Sequence, residues 1–317
     1  MTKRPLIKAL LIDISGNLHI GSTPTPKAVE AMKRLREARI PFRLCSNASK
    51  ESTAVLVSKL HVMGFDFAAG SEDDGGKEVW TSIGSVAQFV KDKGFTRPYM
   101  LLSDSARDEV FPHDTAKWAS SVPYDAVVVG LASGRFDYAH LNTAFRILKG
   151  EEDRSGHNVP LIATHKAKYI ERDDPPGLSL GPGPFVTALE DATGCKAHVV
   201  GKPTKTFFEL VINDLSLSEL SDDGRIAVIG DDVEADLGEG AVELGLWRVL
   251  GELPGGVDPH VGMSTHRRIV KTGKYRPGDE ARAGVVPPDE VHDNFSSFVD
   301  HLLSTNTQEK GDRCNVM

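Results

Sequence analysis

Acidic, hydroxyl, amide and amine side chains stand directly after several apolar segments of this chain. The first such segment, LLIDISGN, presents Asp13, and later segments end in Lys202 and Asp231. A carboxylate can attack phosphorus and form an aspartyl-phosphate that water later hydrolyses, which divides one difficult displacement into two easier steps. Asp13 is therefore the candidate nucleophile of a phosphoryl-transfer reaction on a small phosphorylated substrate.

Attack by a carboxylate on an anionic phosphate requires positive charge and hydrogen-bond donors around the phosphate. A Mg²⁺ ion held by one or two carboxylates and by the phosphate itself would provide the charge. Asp13 and Asp231 are its candidate ligands, with Asp236 or Asp232 in support. The candidate phosphate-binding groups are Lys202, Ser46 and Asn47.

Each of these residues also has a simpler interpretation when it is taken alone. An aspartate after a strand is more often a helix cap, and a Ser-Asn pair or a Gly-Lys-Pro sequence is more often part of a turn. Their occurrence together in one chain favours phosphoryl transfer.

The segments that would position these residues alternate between apolar runs and helical patterns. IKALLIDI is followed by TPKAVEAMKRLREARI, PFRLCSN and KESTAVLVSKLHVMG. This alternation predicts an α/β fold built on a Rossmann-like, doubly wound parallel sheet. Ligands of such a sheet bind at the carboxyl ends of its strands, so residues that are distant in sequence are expected to converge there.

Thr25 and Pro26 predict the start of the first helix, as a capping residue followed by proline at the first helical position. Val29, Met32 and Leu35 would form its apolar face. Further strands are predicted at 99–104, 125–131, 161–165, 197–202, 226–232 and 267–273.

Composition excludes several classes of protein. The chain has 317 residues and a net charge of −8 with dispersed lysines and arginines, so no concentrated basic surface for nucleic acid is expected. No apolar run approaches the roughly 20 residues that span a bilayer. Three cysteines, Cys45, Cys195 and Cys314, form no CxxC pair, which indicates a reducing compartment and a cytoplasmic location.

The segments DISGN at 13–17, LCSN at 44–47, GKP at 201–203 and GDDVEAD at 230–236 resemble the four ordered motifs of the haloacid dehalogenase superfamily. The likeness extends over about residues 6–303. It implies an α/β core formed by residues 1–78 and 197–317, the second part ending in a polar tail. An inserted α/β cap of the larger, class-two type would comprise residues 79–196, and pairing with a second copy through the cap is a further expectation.

The resemblance also implies a role for each matching residue. Asp13 would be both nucleophile and metal ligand, and Ser15 would offer its backbone carbonyl to Mg²⁺. Asp231 would complete the metal site, with Asp236 supporting it or replacing it as a ligand. The phosphate would be bound by Ser46 and neutralised by Lys202.

Ser15 departs from the superfamily's usual pattern. Most phosphatases of the superfamily have an aspartate at this position, which protonates the leaving group, and a serine hydroxyl lacks that acidity. One hypothesis is a phosphatase for substrates with a good leaving group, such as pyrophosphate or a phosphoramidate. The other is a weakly active or inactive protein that acts as a binding or regulatory module. A phosphoacceptor receiver domain is disfavoured, because it would not need the long insertion.

Two features near the end of the chain lie outside this scheme. The last four residues, Cys314 to Met317, have the form of a prenylation signal, which would attach the protein weakly to membranes. Residues 247–266 form a step that is longer than the family pattern requires, and its Pro-Gly-Gly sequence suits a loop.

Overall fold

The structure is a computed structural model. It describes residues 4–67, 77–111, 123–151, 159–173, 176–215, 224–251, 278 and 281–314, with the backbone alone at 171–173, 176 and 306–314. Its strands are β1 Ile7–Asp13, β2 His19–Ile20, β3 Thr23–Pro24, β4 Phe42–Ser46, β5 Val79–Thr81, β6 Pro98–Leu101, β7 Ala126–Val129, β8 Leu161–Ala163, β9 Tyr169–Asp173, β10 Pro176–Leu180, β11 His198–Val199, β12 Arg225–Gly230, β13 Trp247–Gly251 and β14 Glu290–His292. Its helices are α1 Ala28–Glu37, α2 Thr53–Val62, α3 Ser82–Lys93, α4 Asp104–Val110, α5 Tyr138–Leu148, α6 Gly183–Thr193, α7 Lys205–Asp214, α8 Glu239–Glu243 and α9 Phe295–Cys314.

The chain divides into two compact units. Unit 1 consists of Met1–Cys45, Met63–Phe65 and Phe208–Met317, and unit 2 of Ser46–Val62 and Asp66–Phe207. The division of the sequence into core and cap at residues 79 and 196 stays a prediction.

Unit 1 is built on a parallel sheet in which β1 lies between β12 and β4, and β13 and β14 continue beyond β12. The centre of β1 is fully buried at Leu10, Leu11 and Ile12. Strands buried on both faces are typical of parallel sheets covered by helices. The predicted α/β class with a parallel sheet is therefore confirmed.

The first helix begins later than the sequence predicted. It starts at Ala28, and Lys27 precedes it in the left-handed conformation (φ 57°) without a side-chain cap. The Thr25 hydroxyl instead donates hydrogen bonds to the backbone carbonyls of Asn17 and Leu18, at 2.8 and 3.2 Å. Thr25 as the helix cap was therefore wrong, because its side chain ties down the segment that follows β1.

The buried face of α1 includes the predicted Met32 and Leu35, together with Ala28 and Ala31, whereas Val29 is only half-buried. On its outer side, Arg34 forms an ion pair with Asp300 of α9. The first and last helices of the chain are thus neighbours within unit 1.

Unit 2 contains a second parallel sheet in the order β11, β8, β7, β6. Alternate residues of β7 enter different cores, as strand geometry requires. Val127 and Val129 belong to one hydrophobic cluster, which also contains residues of α5 and α6. Ala126 and Val128 belong to another, with residues of α3 and α4. Helices therefore cover both faces of this sheet.

Four of the six predicted later strands match β6, β7, β8 and β12. The strand predicted at 197–202 is shorter and comprises only His198–Val199. The strand predicted at 267–273 lies outside the described residues. So does most of the predicted loop at 247–266, whose first five residues are instead the buried strand β13.

No helix in the described part of the chain is long and apolar enough to cross a membrane. The side chain of Cys314 and residues 315–317 are outside that part, so prenylation stays a prediction. A cytoplasmic location and pairing with a second copy also stay predictions.

Candidate active site

Asp13 is the last residue of β1. The register pairs Ile12 with Ile229 of β12, one residue before that strand ends at Gly230. Asp231 follows at once, so both aspartates emerge at the carboxyl edge of unit 1's sheet, where ligands of parallel sheets bind. Their side chains are buried, with 6% and 3% of their surface exposed.

A turn after β12 brings Asp236 back to the same edge. The Asp232 carboxylate accepts hydrogen bonds from the backbone N–H groups of Glu234 (3.0 Å) and Ala235 (2.9 Å). The Asp232 N–H donates to Oδ2 of Asp236 at 3.1 Å. Asp232 therefore shapes the turn.

Asp13, Asp231 and Asp236 form what we call the carboxylate cluster. Each contributes one carboxylate oxygen to a set whose members all lie within 4.8 Å of one another, and all three residues are buried. Buried like charges at such separations repel strongly unless a cation compensates them. Hard divalent cations prefer carboxylate oxygens, so this donor set fits Mg²⁺ or Ca²⁺.

The backbone between β1 and β2 approaches the cluster closely at Gly16. A Cβ atom at this residue would lie 2.2 Å from Oδ2 of Asp231, and its φ of +91° is itself unfavourable for other residues. The side-chain amide of Asn17 donates to the backbone carbonyl of Asp13 at 3.0 Å. Gly16 and Asn17 were not predicted as site residues, although both stand in the DISGN segment.

Ser15 stands in this segment with an exposed side chain. Its backbone forms a bridge to His19. The predicted contribution of its carbonyl to a metal site stays a prediction.

The predicted phosphate-binding residues belong to unit 2. Ser46 and Lys202 are both buried, with 2% of their surface exposed. The Ser46 hydroxyl accepts a hydrogen bond from the Ala48 N–H at 3.1 Å. The Asn47 amide donates to the Lys202 carbonyl and accepts from the Lys202 N–H, each at 2.9 Å. Asn47 therefore positions the backbone of Lys202, and its predicted contact with substrate stays a prediction.

Lys166 lies next to a buried carboxylate. Its Nζ is 2.6 Å from Oε2 of Glu190, whose Oε1 accepts the Ala197 N–H at 2.9 Å. Burial opposes ionisation of Glu190, but these hydrogen bonds and the lysine charge outweigh it and lower the pKa of the carboxyl. The pair ties the segment after β8 to α6.

The structure thus brings the predicted residues together in two groups, one in each unit. The first comprises Asp13, Asp231 and Asp236 and suits a divalent cation. In the second group, the Asn47 side chain is hydrogen-bonded to the Lys202 backbone. This group also contains Ser46, whose hydroxyl accepts the Ala48 N–H.

Comparison with known proteins identifies the class. Residues 10–115 match the model of the haloacid dehalogenase-like hydrolase family. The chain is 38% identical over 306 residues to haloacid dehalogenase-like hydrolase domain-containing protein 2 of Rattus norvegicus, covering 96% of this chain and 98% of that one. It is 33% identical over 301 residues to the phospholysine phosphohistidine inorganic pyrophosphate phosphatase of Homo sapiens, covering 94% of each.

Solved structures show the same fold. A 4-nitrophenylphosphatase from Thermotoga maritima aligns with a TM-score of 0.71 at 22% identity, covering 93% of this chain and 97% of that one. The glycerol phosphate phosphatase of Mycobacterium tuberculosis, in complex with magnesium, aligns with a TM-score of 0.66 at 21% identity, covering 93% of this chain and 78% of that one.

This chain belongs to the haloacid dehalogenase-like hydrolases. The predicted superfamily is therefore confirmed, and so is the predicted enzyme class, a haloacid dehalogenase-like hydrolase.

Proposed function

We propose that this enzyme is a magnesium-dependent phosphohydrolase that forms an aspartyl-phosphate on Asp13. The carboxylate cluster at the ends of β1 and β12 is the observation that carries the proposal. A cluster of buried carboxylates needs a cation, and a phosphatase of this type needs one to reduce the charge on its substrate. The fold relative from M. tuberculosis forms complexes with magnesium and with calcium, which supports a divalent cation at this site.

In the proposed first step, a carboxylate oxygen of Asp13 attacks phosphorus, and the bond from phosphorus to the leaving group breaks. Water then attacks the aspartyl-phosphate, which releases phosphate and restores the carboxylate. A divalent cation, when bound, supplies positive charge for the phosphate oxygens. Asp231 and Asp236 would hold it together with Asp13, and Lys202 and Ser46 would bind the phosphate.

The absence of an acid at position 15 defines the proposed substrate class. Ser15 cannot protonate a leaving group at neutral pH, which removes a contribution of about 10²–10⁴ in rate for groups that need a proton. The phosphate released from pyrophosphate and the nitrogen group released from a phosphoramidate depart more readily than an alkoxide. The human relative is named for such compounds, which supports the same class here.

A second candidate function rests on the same residue. With serine at position 15, the protein could retain phosphate and metal binding while turning over poorly, and then act as a binding or regulatory module.

Steady-state hydrolysis with and without Mg²⁺ tests both candidates on pyrophosphate, a phosphohistidine analogue and an aryl phosphate. The wild type is compared with Asp13→Asn and, as a matched control, with Asp300→Asn, which changes an exposed carboxylate paired with Arg34. The proposal expects magnesium-dependent turnover that Asp13→Asn abolishes and Asp300→Asn retains. Equal inactivity of wild type and Asp13→Asn on all three compounds would contradict the proposed phosphohydrolase activity and favour the binding or regulatory module.

A further inference from the structure

Three separate segments of unit 2 are joined in a closed ring of hydrogen bonds. The segment after β4 contains Asn47 and Ser49, the segment after β8 contains Thr164 and His165, and the segment after β11 contains Gly201 and Lys202. We call this arrangement the ring, with the members Asn47, Ser49, Thr164, His165, Gly201 and Lys202.

The first two joints of the ring involve the backbone of residues 201–202. The Asn47 side chain binds the N–H and carbonyl of Lys202, both at 2.9 Å. The Gly201 N–H donates to the Thr164 carbonyl at 2.8 Å. The segment that carries Lys202 is thereby attached to both of the others.

The third joint is a buried contact between two side chains. Oγ of Ser49 lies 3.0 Å from Nε2 of His165, and the two residues are 3% and 4% exposed. The Leu131 N–H donates to the same Ser49 oxygen at 3.1 Å. Ser49 therefore connects the segment after β4 with the segments that follow β7 and β8.

The tautomer of His165 follows from its other ring nitrogen. The Ala167 N–H donates to Nδ1 at 3.3 Å, so Nδ1 is an acceptor and the proton of the neutral ring lies on Nε2. Nε2–H must then donate to Ser49, which accepts a second hydrogen bond from Leu131. The direction of every joint is thus defined, and replacing the Nε2–H donor would open the ring.

The ring leaves no space where its segments meet. A Cβ atom on Gly201 would lie 2.4 Å from the Thr164 carbonyl oxygen and 2.7 Å from Oδ1 of Asn47. A side chain at residue 201 would therefore not fit, and the three segments pack closely against one another at this glycine. Small rotations of one segment would therefore displace the others.

We propose that His165 and Ser49 are positioning residues that hold Ser46 and Lys202 in a fixed relative geometry. This inference rests on the proposed function, in which Ser46 and Lys202 bind the phosphate. Ser46 directly precedes Asn47, and Lys202 is the residue whose backbone the Asn47 side chain binds. Prearranged donors stabilise a transferring phosphate because they need no reorganisation during the reaction. His165 touches neither the phosphate nor the reacting atoms in this role.

The test compares His165→Ala with His165→Gln, because glutamine retains an N–H donor near the position of Nε2. His140→Ala is the matched control, since His140 lies on α5 and pairs with the exposed Asp137. For each variant we would measure kcat and KM with pyrophosphate and Mg²⁺, the Kd for inorganic phosphate by calorimetry, and thermal unfolding.

His165→Ala is expected to lower kcat by about 10²-fold, the size of effect that a displacement near 1 Å can cause, with a smaller change in KM. His165→Gln should recover most of this loss, and His140→Ala should behave as wild type. A folded His165→Ala protein with wild-type kcat and KM would overturn the proposal. Equal losses in the alanine and glutamine variants would also overturn it, because packing and not the donor would then be responsible.

Ser49→Ala provides the answer if His165→Ala does not fold, since it removes only the acceptor oxygen. It should show the same fall in kcat. A wild type that hydrolyses none of the compounds would contradict the proposed function. The Kd for phosphate would then test whether the ring positions Ser46 and Lys202. Equal phosphate affinity in wild type and Ser49→Ala, or no phosphate binding in either, would overturn the inference.

Discussion

The carboxylate cluster of unit 1 and the ring of unit 2 are held in opposite ways. In the cluster, the adjacent strands β1 and β12 and the turn after β12 place three carboxylates so that one oxygen of each lies within 4.8 Å of the others. The backbone thus imposes an arrangement that the side-chain charges oppose. In the ring, neutral hydrogen bonds between loops create the arrangement, and each side chain supports it. Chemistry and stability should therefore respond differently to changes in the two regions.

The largest effect is expected in the cluster. Asp231→Asn should lower kcat by at least about 10³-fold, as removal of a central catalytic group typically does. The thermal unfolding temperature in chelator should not fall, because one of three repelling charges is removed. Kinetics with a Mg²⁺ titration and calorimetric unfolding measure both results. Unchanged magnesium dependence together with a marked loss of stability would make the cluster a structural element.

Ser15→Asp would add the missing acid beside the cluster. Because Ser15 is exposed, a larger side chain can be accommodated. The change should raise kcat for an alkyl phosphate by up to about 10²-fold, with little effect on pyrophosphate, since only the alkoxide needs a proton. Ser15→Asn controls for size. Equal changes in both variants, or for both substrates, would show that leaving-group protonation does not limit turnover.

The ring should respond in stability as well as in rate. Asn47→Ala removes both hydrogen bonds to the Lys202 backbone and should cost about 1–3 kcal/mol in the free energy of unfolding. Urea denaturation would measure this change. Asn142→Ala on α5, which also truncates a half-buried asparagine, is the control and should cost less. An unaffected denaturation midpoint in Asn47→Ala would remove the contrast between the two regions.

The smallest effect concerns the Lys166–Glu190 pair of unit 2. The pKa of Glu190 is lowered in the folded protein. The pair therefore stabilises the fold at pH values above the ordinary pKa of a glutamate carboxyl. Lys166→Ala should therefore cost up to about 1 kcal/mol at neutral pH. The difference from wild type should disappear as pH falls through the lowered pKa, which denaturation midpoints across a pH series would measure. A difference that persists in acid would indicate lost packing.

The hydrogen-bond partners of two polar side chains did not follow from the local sequence. Thr25 has the residue type and position of a helix cap, yet its hydroxyl bonds to carbonyls eight and seven residues earlier. Asp232 was named beside Asp236 as a possible support for the metal site, and its carboxylate accepts the N–H groups of a turn. Local patterns identify a side chain that can form a hydrogen bond, but the partner depends on which segments the fold brings near.

The sequence alone determined the fold class and the family, and it predicted the residues of the candidate site. Apolar periodicity and strand-end polar residues are local properties, so the alternating pattern and the DISGN, LCSN, GKP and GDDVEAD segments are evident in the sequence itself. It did not reveal that Asn47 binds the backbone of a residue 155 positions away, or that His165 donates to Ser49 across 116 positions. Only the tertiary structure decided those contacts, because these side chains can form hydrogen bonds only after the fold has brought the segments that follow β4, β8 and β11 close together.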